Sequence, residues 1–131
     1  MTKSLEKITK EILENFILKT KIELTPTQPR LCIPVINRIY KKMSANIKFS
    51  EIKVKEGLIC DGHHRYLASL LAGISIGRVP SVTTLATTPM PWESIVLVDD
   101  DWDSETKINE LNKIDAEFNE VPIEKIIELL K

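Results

Sequence analysis

The residues best equipped for chemistry form one short run, Asp61-Gly62-His63-His64-Arg65. The surrounding pattern places this run where a buried strand passes into a helix, so free backbone N–H groups and the positive end of the helix dipole meet there. Gly62 lets the backbone approach a ligand closely, and Arg65 can offer two parallel hydrogen bonds to phosphate oxygens. The run therefore predicts a binding site for a phosphate group.

We predict Asp61, His63, His64 and Arg65 as catalytic residues. Beside a bound phosphate, Asp61 can hold Mg²⁺ or act as a general base, and either histidine can neutralise charge or move a proton. The alternative is structural: Asp61 caps the helix, the histidines are surface residues of its first turn, and Arg65 pairs with acidic residues near the C-terminus. Five such residues in a row exceed what a helix cap requires.

The spacing of apolar residues predicts the elements that precede the run. Apolar positions recur every three or four residues over roughly residues 3–20, which predicts an amphipathic first helix. Prolines interrupt the pattern between residues 25 and 30, because each one disfavours helix in the residue before it. A second helix is predicted from Pro34 to Met43, with Arg38 and two lysines on its basic face.

A β-hairpin and a third helix are predicted on the two sides of the run. Residues 51–55 alternate between apolar and charged, Glu56-Gly57 supplies a tight turn, and residues 58–60 form a short buried strand. Beyond the run, an apolar stripe from Leu67 is ended by Gly73, a residue suited to the left-handed conformation that stops helices. The run thus lies at the junction of hairpin and helix.

Further elements are predicted towards the C-terminus. The segment from Val79 to Leu85 is rich in β-branched residues and predicts a strand, Thr87 to Trp92 a loop, and residues 95–98 a buried strand. Acidic residues then precede a predicted helix over 104–118, which their carboxylates can cap. Pro122 opens a last helix.

Length and composition favour one globular domain. The chain has 131 residues, of which 43% are hydrophobic and 28% charged. We predict a single domain over residues 1–131, with its core at about 20–98 and a C-terminal helical segment at 104–131. Apolar runs of bilayer length and a signal-peptide pattern are lacking, which predicts a cytoplasmic protein without membrane contact. Cys32 and Cys60 lack a paired spacing and are expected as reduced interior thiols.

The net charge of −1 conceals a strong asymmetry. Residues 1–92 hold 14 Lys and Arg against 7 Asp and Glu, a net charge of +7, whereas residues 93–131 hold 4 against 12, a net charge of −8. The phosphate-binding run lies in the basic part, where an anion is attracted. The acidic part is expected to form a guard or metal-holding rim, which favours a mononucleotide over a long polynucleotide.

Two separated sequence boxes resemble the ParB/sulfiredoxin superfamily. The first is Thr25-Pro26-Thr27-Gln28-Pro29-Arg30; the second follows Ile52-Lys53-Val54 and reads Leu58-Ile59-Cys60-Asp61-Gly62-His63-His64-Arg65-Tyr66-Leu67-Ala68. The resemblance covers roughly residues 20–85. It implies an α+β fold with a small mixed sheet, flanking helices, and extra N- and C-terminal helices. It also implies that Gln28, Arg30, Gly62, His63, His64 and Arg65 contact nucleotide phosphates.

The second box is most similar to the branch that contains free-serine kinases. In sulfiredoxin the nucleophilic cysteine occupies the place that His63 takes here, and Cys60 lies three residues earlier, so sulfinic-acid reduction is not expected. The helix-turn-helix segment of ParB partition proteins is also not recognisable. Similarity to the kinase branch implies a nucleotide as phosphate donor and a small hydroxyl compound as second substrate. We predict ATP, ADP or CTP as cofactor, with Mg²⁺ on Asp61.

Three functional hypotheses follow. The first is a nucleotide-binding enzyme that transfers a phosphoryl group to a small molecule or hydrolyses a nucleoside triphosphate. The second is a metal-dependent ParB-like nuclease, including a toxin domain, and the third is a non-catalytic DNA-binding adaptor. Nucleic acid and a second copy of the chain are therefore further candidate partners.

Two other features allow alternative interpretations. Asp99, Asp101, Asp103 and Glu110 occupy positions 1, 3, 5 and 12 of a calcium-binding EF-hand loop, although its sixth position is not glycine. A solvated helix start, a Mg²⁺ site and docking onto the basic part are the alternatives there. Trp92 can form a lid over the phosphate site or pack in the core.

Overall fold

A computed structural model of the protein describes residues 7–81 and 88–131. In these ranges the chain forms an α+β fold of five α-helices and two small sheets, which confirms the predicted class. The helices are α1 (Lys10–Lys19), α2 (Ile33–Ser44), α3 (His63–Ala72), α4 (Glu105–Asn119) and α5 (Ile123–Leu129). The strands are β1 (Arg30–Cys32), β2 (Ile52–Lys55), β3 (Leu58–Asp61), β4 (Arg78–Pro80) and β5 (Val96–Val98). None of the helices formed by the described residues has the length and apolar character that a bilayer span requires.

The predicted hairpin forms two of the three strands of the larger sheet, with β2 at its centre and β3 at one edge. Strands β2 and β3 are antiparallel, and Glu56 and Gly57 between them adopt φ angles of 49° and 78°, as a tight hairpin turn requires. Strand β4 pairs with β2 in parallel, which gives the strand order β3-β2-β4. The predicted strand from Val79 to Leu85 is shifted, since β4 starts at Arg78 and ends at Pro80, and residues 82–87 lie outside the described part.

The second sheet consists of β1 and β5 in parallel, with Leu31 beside Leu97. This pairing confirms the strand predicted at residues 95–98, which begins at Val96 after a single 3₁₀ turn (Trp92–Ser94). The prediction that the strand is buried holds for Leu97, whereas Val96 is 50% exposed. Leu31 is fully buried, so the short sheet is anchored by the core on which it packs. Cys32 at the end of β1 is a buried free thiol and Cys60 on β3 is a half-buried one.

One apolar cluster holds α1, α2, α3 and both sheets together. Its fully buried members include Leu13 of α1, Ile36 of α2, Ile59 of β3 and Leu67 of α3. Trp92 belongs to this core, because its ring stacks on Tyr66 at 6.5 Å and its Nε1 donates a hydrogen bond to the Leu24 carbonyl (2.9 Å). Of the two roles considered for Trp92, core packing is therefore the one observed.

A smaller apolar cluster lies beneath α4 and α5. Its buried members are Ile47, Ala116 and Ile126. By contrast, Ile114 and Phe118 of α4 expose 58% and 57% of their surface. The C-terminal helices therefore rest on a small apolar contact, and their position depends on additional polar contacts with the rest of the chain.

Two predicted helix starts differ from the observed ones. The first helix begins at Lys10, because the Thr9 hydroxyl accepts a hydrogen bond from the Ile12 N–H and caps it there; residues 3–6 lie outside the described part. Helix α4 begins at Glu105 and is capped by the Ser104 hydroxyl, which accepts from the Lys107 N–H. The prediction that the acidic run caps this helix is wrong, since Asp101 and Asp103 bind an arginine instead.

Two glycines provide a matched test of the junction between β3 and α3. Gly62 has a φ of 98°, and a Cβ added there would lie 2.5 Å from Cγ2 of Ile52; Gly57 has a φ of 78° but nothing within 4 Å. A left-handed backbone costs a residue with a Cβ roughly 1–2 kcal/mol. We expect Gly57→Ala to lose that amount of unfolding free energy, and Gly62→Ala to lose about 1–3 kcal/mol more through overpacking. Urea unfolding measures both, and equal losses would contradict the close approach at Gly62.

Candidate functional site

A cleft of about 400 Å³ opens between α2, the start of α3 and α4. All five residues of the run from Asp61 to Arg65 line it, together with Gln28. Arg30, the remaining predicted phosphate ligand, is exposed on β1 and does not line the cleft. The fold thus brings together every predicted site residue except Arg30.

The start of α3 presents its backbone to this cleft. Gly62 is the N-cap residue, so the helix start carries no capping side chain, and the first hydrogen bond within the helix runs from the Tyr66 N–H to the Gly62 carbonyl (2.8 Å). The N–H groups before Tyr66 have no acceptor within the helix. Asp61 belongs to β3 and does not cap α3, so the structural alternative for this residue is wrong.

His63 fastens the helix start to the loop before β1. Its Nε2 accepts a hydrogen bond from the Thr27 N–H (2.9 Å), and the Thr27 hydroxyl donates to the Ile59 carbonyl (2.6 Å). Burial lowers the pKa of His63 to about 4; the nearby His64 lowers it further, whereas Asp61 opposes the shift. His63 is therefore neutral at pH 7, with its proton on Nδ1.

His64 makes the corresponding bond at the end of β1. Its Nε2 accepts from the Cys32 N–H (2.9 Å), and its ring meets the edge of the Trp102 ring at 5.4 Å. Burial lowers the pKa of His64 to about 4, with Asp103 opposing the shift. Both imidazoles are thus neutral acceptors for backbone N–H groups. The alternative that they are surface residues is wrong, since His63 exposes only 4% of its surface and His64 is partly buried.

Arg65 is held rigidly at the cleft wall. Its Nη1 donates to the carbonyl and hydroxyl of Ser50 (3.0 and 2.7 Å) and to the Glu51 carbonyl (3.3 Å), and its Nη2 donates to Asp61 (3.2 Å). The Asp61 side chain is 64% exposed, whereas that of Arg65 is 19% exposed. Because both histidines are neutral, Arg65 is the positive charge that the run itself contributes.

The acidic C-terminal part binds the basic face of α2, not Arg65. Arg38 forms two hydrogen bonds with Asp101 (2.6 and 2.9 Å) and one with Asp103 (3.0 Å), and the pKa of Asp101 is lowered by this arginine. Lys42 pairs with Asp115 of α4 at 2.6 Å. Docking of the acidic part onto the basic part is therefore the observed arrangement, and the predicted pairing of Arg65 with it is wrong.

Metal binding by the chain alone finds no support in the described residues. In the ranges 7–81 and 88–131, no group of three or more His, Cys, Asp or Glu side chains is arranged to hold a metal ion. Two carboxylates of the EF-hand-like sequence, those of Asp101 and Asp103, are bound to Arg38. A Mg²⁺ ion on Asp61 stays a prediction, as an ion that a bound nucleotide would bring with it.

Sequence reasoning did not place Arg38 and Lys42 in the cleft, although both line it. The available signal was the basic face of the second helix, opposite in charge to the C-terminal part. Which faces meet depends on the three-dimensional path of the chain.

Comparison with protein-family models, curated proteins and solved structures finds no match to this chain. The resemblance to the ParB/sulfiredoxin superfamily stays a prediction that rests on the two sequence boxes. The function is therefore argued from the geometry of the cleft.

The two imidazoles predict a loss of stability in mild acid. The unfolded chain takes up protons on them below pH 6.5, whereas the folded chain keeps them neutral down to about pH 4. The unfolded state binds more protons in this window, so the unfolding free energy should fall as pH drops from 6.5 to 4. Each histidine should contribute a decrease of up to about 1.4 kcal/mol for every pH unit. Urea unfolding between pH 7 and 4 measures the slope.

The control for this prediction is a pair of single variants, His63→Gln and His64→Gln. A glutamine oxygen can accept the same backbone N–H but does not titrate, so each variant should show about half of the parent slope above pH 5. A parent whose stability is flat between pH 6.5 and 5 would contradict the assignment of both imidazoles as buried neutral acceptors.

Proposed function

We propose that the protein binds a nucleoside phosphate in the cleft and transfers the terminal phosphoryl group to a small hydroxyl compound or to water. The observation that carries this proposal is the pairing of an α3 start without a side-chain cap and a fixed Arg65 guanidinium at one end of the cleft. Backbone N–H groups at a helix start and a guanidinium are both donors that suit phosphate oxygens.

Preorganisation supports the proposal. Three acceptors on residues 50 and 51 and the Asp61 carboxylate fix the Arg65 guanidinium before a ligand arrives. A ligand that meets an already ordered arginine loses little affinity to the ordering of that side chain. In phosphoryl transfer, positioning and electrostatic stabilisation account for most of the catalysis, so a rigid donor of this kind is the feature such a site requires.

Asp61 is the residue that we assign to proton or metal chemistry. Its side chain lines the cleft and is 64% exposed, and its Oδ2 accepts a hydrogen bond from Nη2 of Arg65. It fits the role of base for a hydroxyl nucleophile, and it also fits Mg²⁺ carried by a nucleotide, since that ion takes one or two carboxylates together with phosphate oxygens and water. Bound Mg²⁺ would supply neutralisation of the phosphate charge.

The histidines are assigned a positioning role in this proposal. The Nε2 of each already accepts a backbone N–H, at Thr27 or Cys32, and both rings are neutral at pH 7. They hold the start of α3 at the cleft and add no charge to it. This departs from the sequence-based hypothesis that one of them transfers a proton.

The apolar part of the cleft lining suits a nucleoside. Apolar side chains of α2, α4 and the segment before β2 line the cleft: Val35, Ile39, Phe49, Leu111 and Ile114. A cleft that combines phosphate-binding donors with apolar side chains for a base and sugar matches ATP, ADP or CTP as ligand. The ParB/sulfiredoxin-type fold and the similarity to free-serine kinases are part of this proposal, supported by the hairpin-to-helix order around the run.

Charge pairing favours this reading over a nuclease or a DNA-binding adaptor. Arg38 and Lys42 of the basic part are bound to Asp101, Asp103 and Asp115. A polynucleotide needs an accessible row of cations along its backbone. A mononucleotide needs only the start of α3 and Arg65 for its first phosphate, and is therefore the better match.

Calorimetry with Mg-ATP, Mg-ADP and Mg-CTP tests the binding step. Arg65→Ala removes a charge-assisted donor that contributes about 1.5–3 kcal/mol, so affinity should fall by about 10- to 100-fold. Arg78→Ala is the matched control, because Arg78 pairs with Glu23 and does not line the cleft. Absence of heat with all three nucleotides, or equal affinity of Arg65→Ala and the parent, would refute the proposal.

Turnover separates the enzyme from the other hypotheses. The rate of phosphate release from the nucleotide that binds is measured with and without a panel of small alcohols, and its kcat should fall at least tenfold in Asp61→Asn. Nucleotide binding without turnover would indicate the non-catalytic adaptor. Cleavage of plasmid DNA or RNA with Mg²⁺ would indicate the nuclease.

A further inference from the structure

Two cations in the cleft are occupied by carboxylates of the chain itself. Arg38 and Lys42 line the cleft, and their side chains are only 16% and 5% exposed. Their partners all come from the C-terminal part: Asp101 and Asp103 for Arg38, Asp115 for Lys42. Since Arg38 and Lys42 are four residues apart on α2, they lie on one face of the helix as neighbours.

The segment that supplies these carboxylates is attached largely through polar contacts. Besides the ion pairs, Asn119 at the end of α4 accepts from the Lys48 N–H (2.6 Å) and donates to the Lys48 carbonyl (3.0 Å). The apolar cluster beneath α4 and α5 has three buried members with four partly buried residues packed against them, Phe49, Val121, Ile123 and Leu129, whereas Ile114 and Phe118 are exposed. Its buried members are distinct from those of the main core, and Phe49 packs against both, so α4 can move away while the buried residues of the main core stay packed.

We propose that α4 is a charge-held lid, and that a polyphosphate ligand displaces Asp103 and Asp115 to take Arg38 and Lys42 as a second phosphate-binding pair. This inference rests on the proposed function and extends it to ligands with several phosphates. One phosphate binds at the start of α3 and Arg65. The adjoining phosphates bind Arg38 and Lys42 of α2 in place of the Asp103 and Asp115 carboxylates.

The lid stays closed without a ligand because Arg38 and Lys42 give up their carboxylate partners only when phosphates replace them. Opening without a ligand would break the Lys42–Asp115 ion pair, whose atoms lie 2.6 Å apart, and would leave water as the new partner of both charges. Replacement of a carboxylate by a phosphate keeps both cations paired throughout. The arrangement selects ligands by their number of phosphates, with triphosphate preferred to diphosphate and diphosphate to monophosphate.

Inorganic tripolyphosphate and Mg-ATP are the probes for this inference. Asp115→Asn and Asp103→Asn each remove a competing carboxylate and should bind both probes roughly tenfold more tightly, equivalent to about 1.4 kcal/mol. Glu117→Gln is the matched control, because Glu117 is an exposed carboxylate of α4 outside the cleft and its loss should leave affinity unchanged. The double variant Lys42→Met/Asp115→Leu removes the pair without leaving an unpaired charge. Because it also lacks the Lys42 cation, it should not show the tenfold tighter binding.

Hydrogen exchange provides the readout that a merely structural ion pair would not change. Ligand binding should slow exchange of amides at residues 62–66 and accelerate it at residues 105–119, where most ligands would only slow it. Thermal unfolding verifies that each variant is folded. If Asp115→Asn does not fold, Asp103→Asn still tests the inference, because Arg38 retains Asp101 as a partner in that variant.

The outcomes separate this inference from the proposed function. Tighter binding and faster α4 exchange with tripolyphosphate, but no binding of any nucleotide, would support the lid and refute the nucleotide function. Nucleotide binding that depends on Arg65, with unchanged affinity in both aspartate variants and no faster exchange in α4, would refute the lid alone. Failure of all probes to bind would refute both.

Discussion

Two backbone N–H groups, that of Thr27 in the first box and that of Cys32 two residues after it, donate to imidazole nitrogens of the second box. The position of the cleft depends on these two hydrogen bonds, because they connect the start of α3 to the loop before β1 and to the last residue of β1. The larger sheet leads into α3 and the smaller sheet contains β1, so the two histidines join the sheets at the point where the cleft opens. A buried N–H left without an acceptor costs about 1–3 kcal/mol, which explains why polar rings occupy such an enclosed place.

Opposite charges also hold two parts of the molecule together. Basic residues are in excess up to residue 92 and acidic residues after it, and in the structure cations of α2 pair with carboxylates of the C-terminal part. Surface ion pairs contribute little stability, but Lys42 and Asp115 are mostly buried, and their separation would leave a charge unpaired. The pairs that hold the C-terminal part against α2 thus lie among the residues that line the cleft.

Local signals were sufficient to predict the hairpin, the junction and α3. Gly57 and Gly73 adopt the left-handed conformations that their positions predicted, and the run from Asp61 to Arg65 lies at the strand-to-helix junction. The periodic pattern failed at the first helix, because Ile8 is buried like a helix residue while Thr9 already caps the helix. The roles of the histidines were beyond local reasoning, since their partners lie 36 and 32 residues away in the sequence. Arg30 fits the sequence box, yet its place on an exposed strand position separates it from the cleft.

The two tryptophans of the chain occupy contrasting environments, and this makes them natural fluorescence reporters. Trp92 is buried in the main core and stacks on Tyr66, so its emission follows global unfolding. Trp102 is 46% exposed, touches the His64 ring and lies in the acidic segment just before α4. The emission of Trp102 therefore reports on the contact between the acidic segment and the start of α3, separately from the core signal of Trp92. The molecule carries, without any label, separate optical probes for its core and for the environment of the segment before α4.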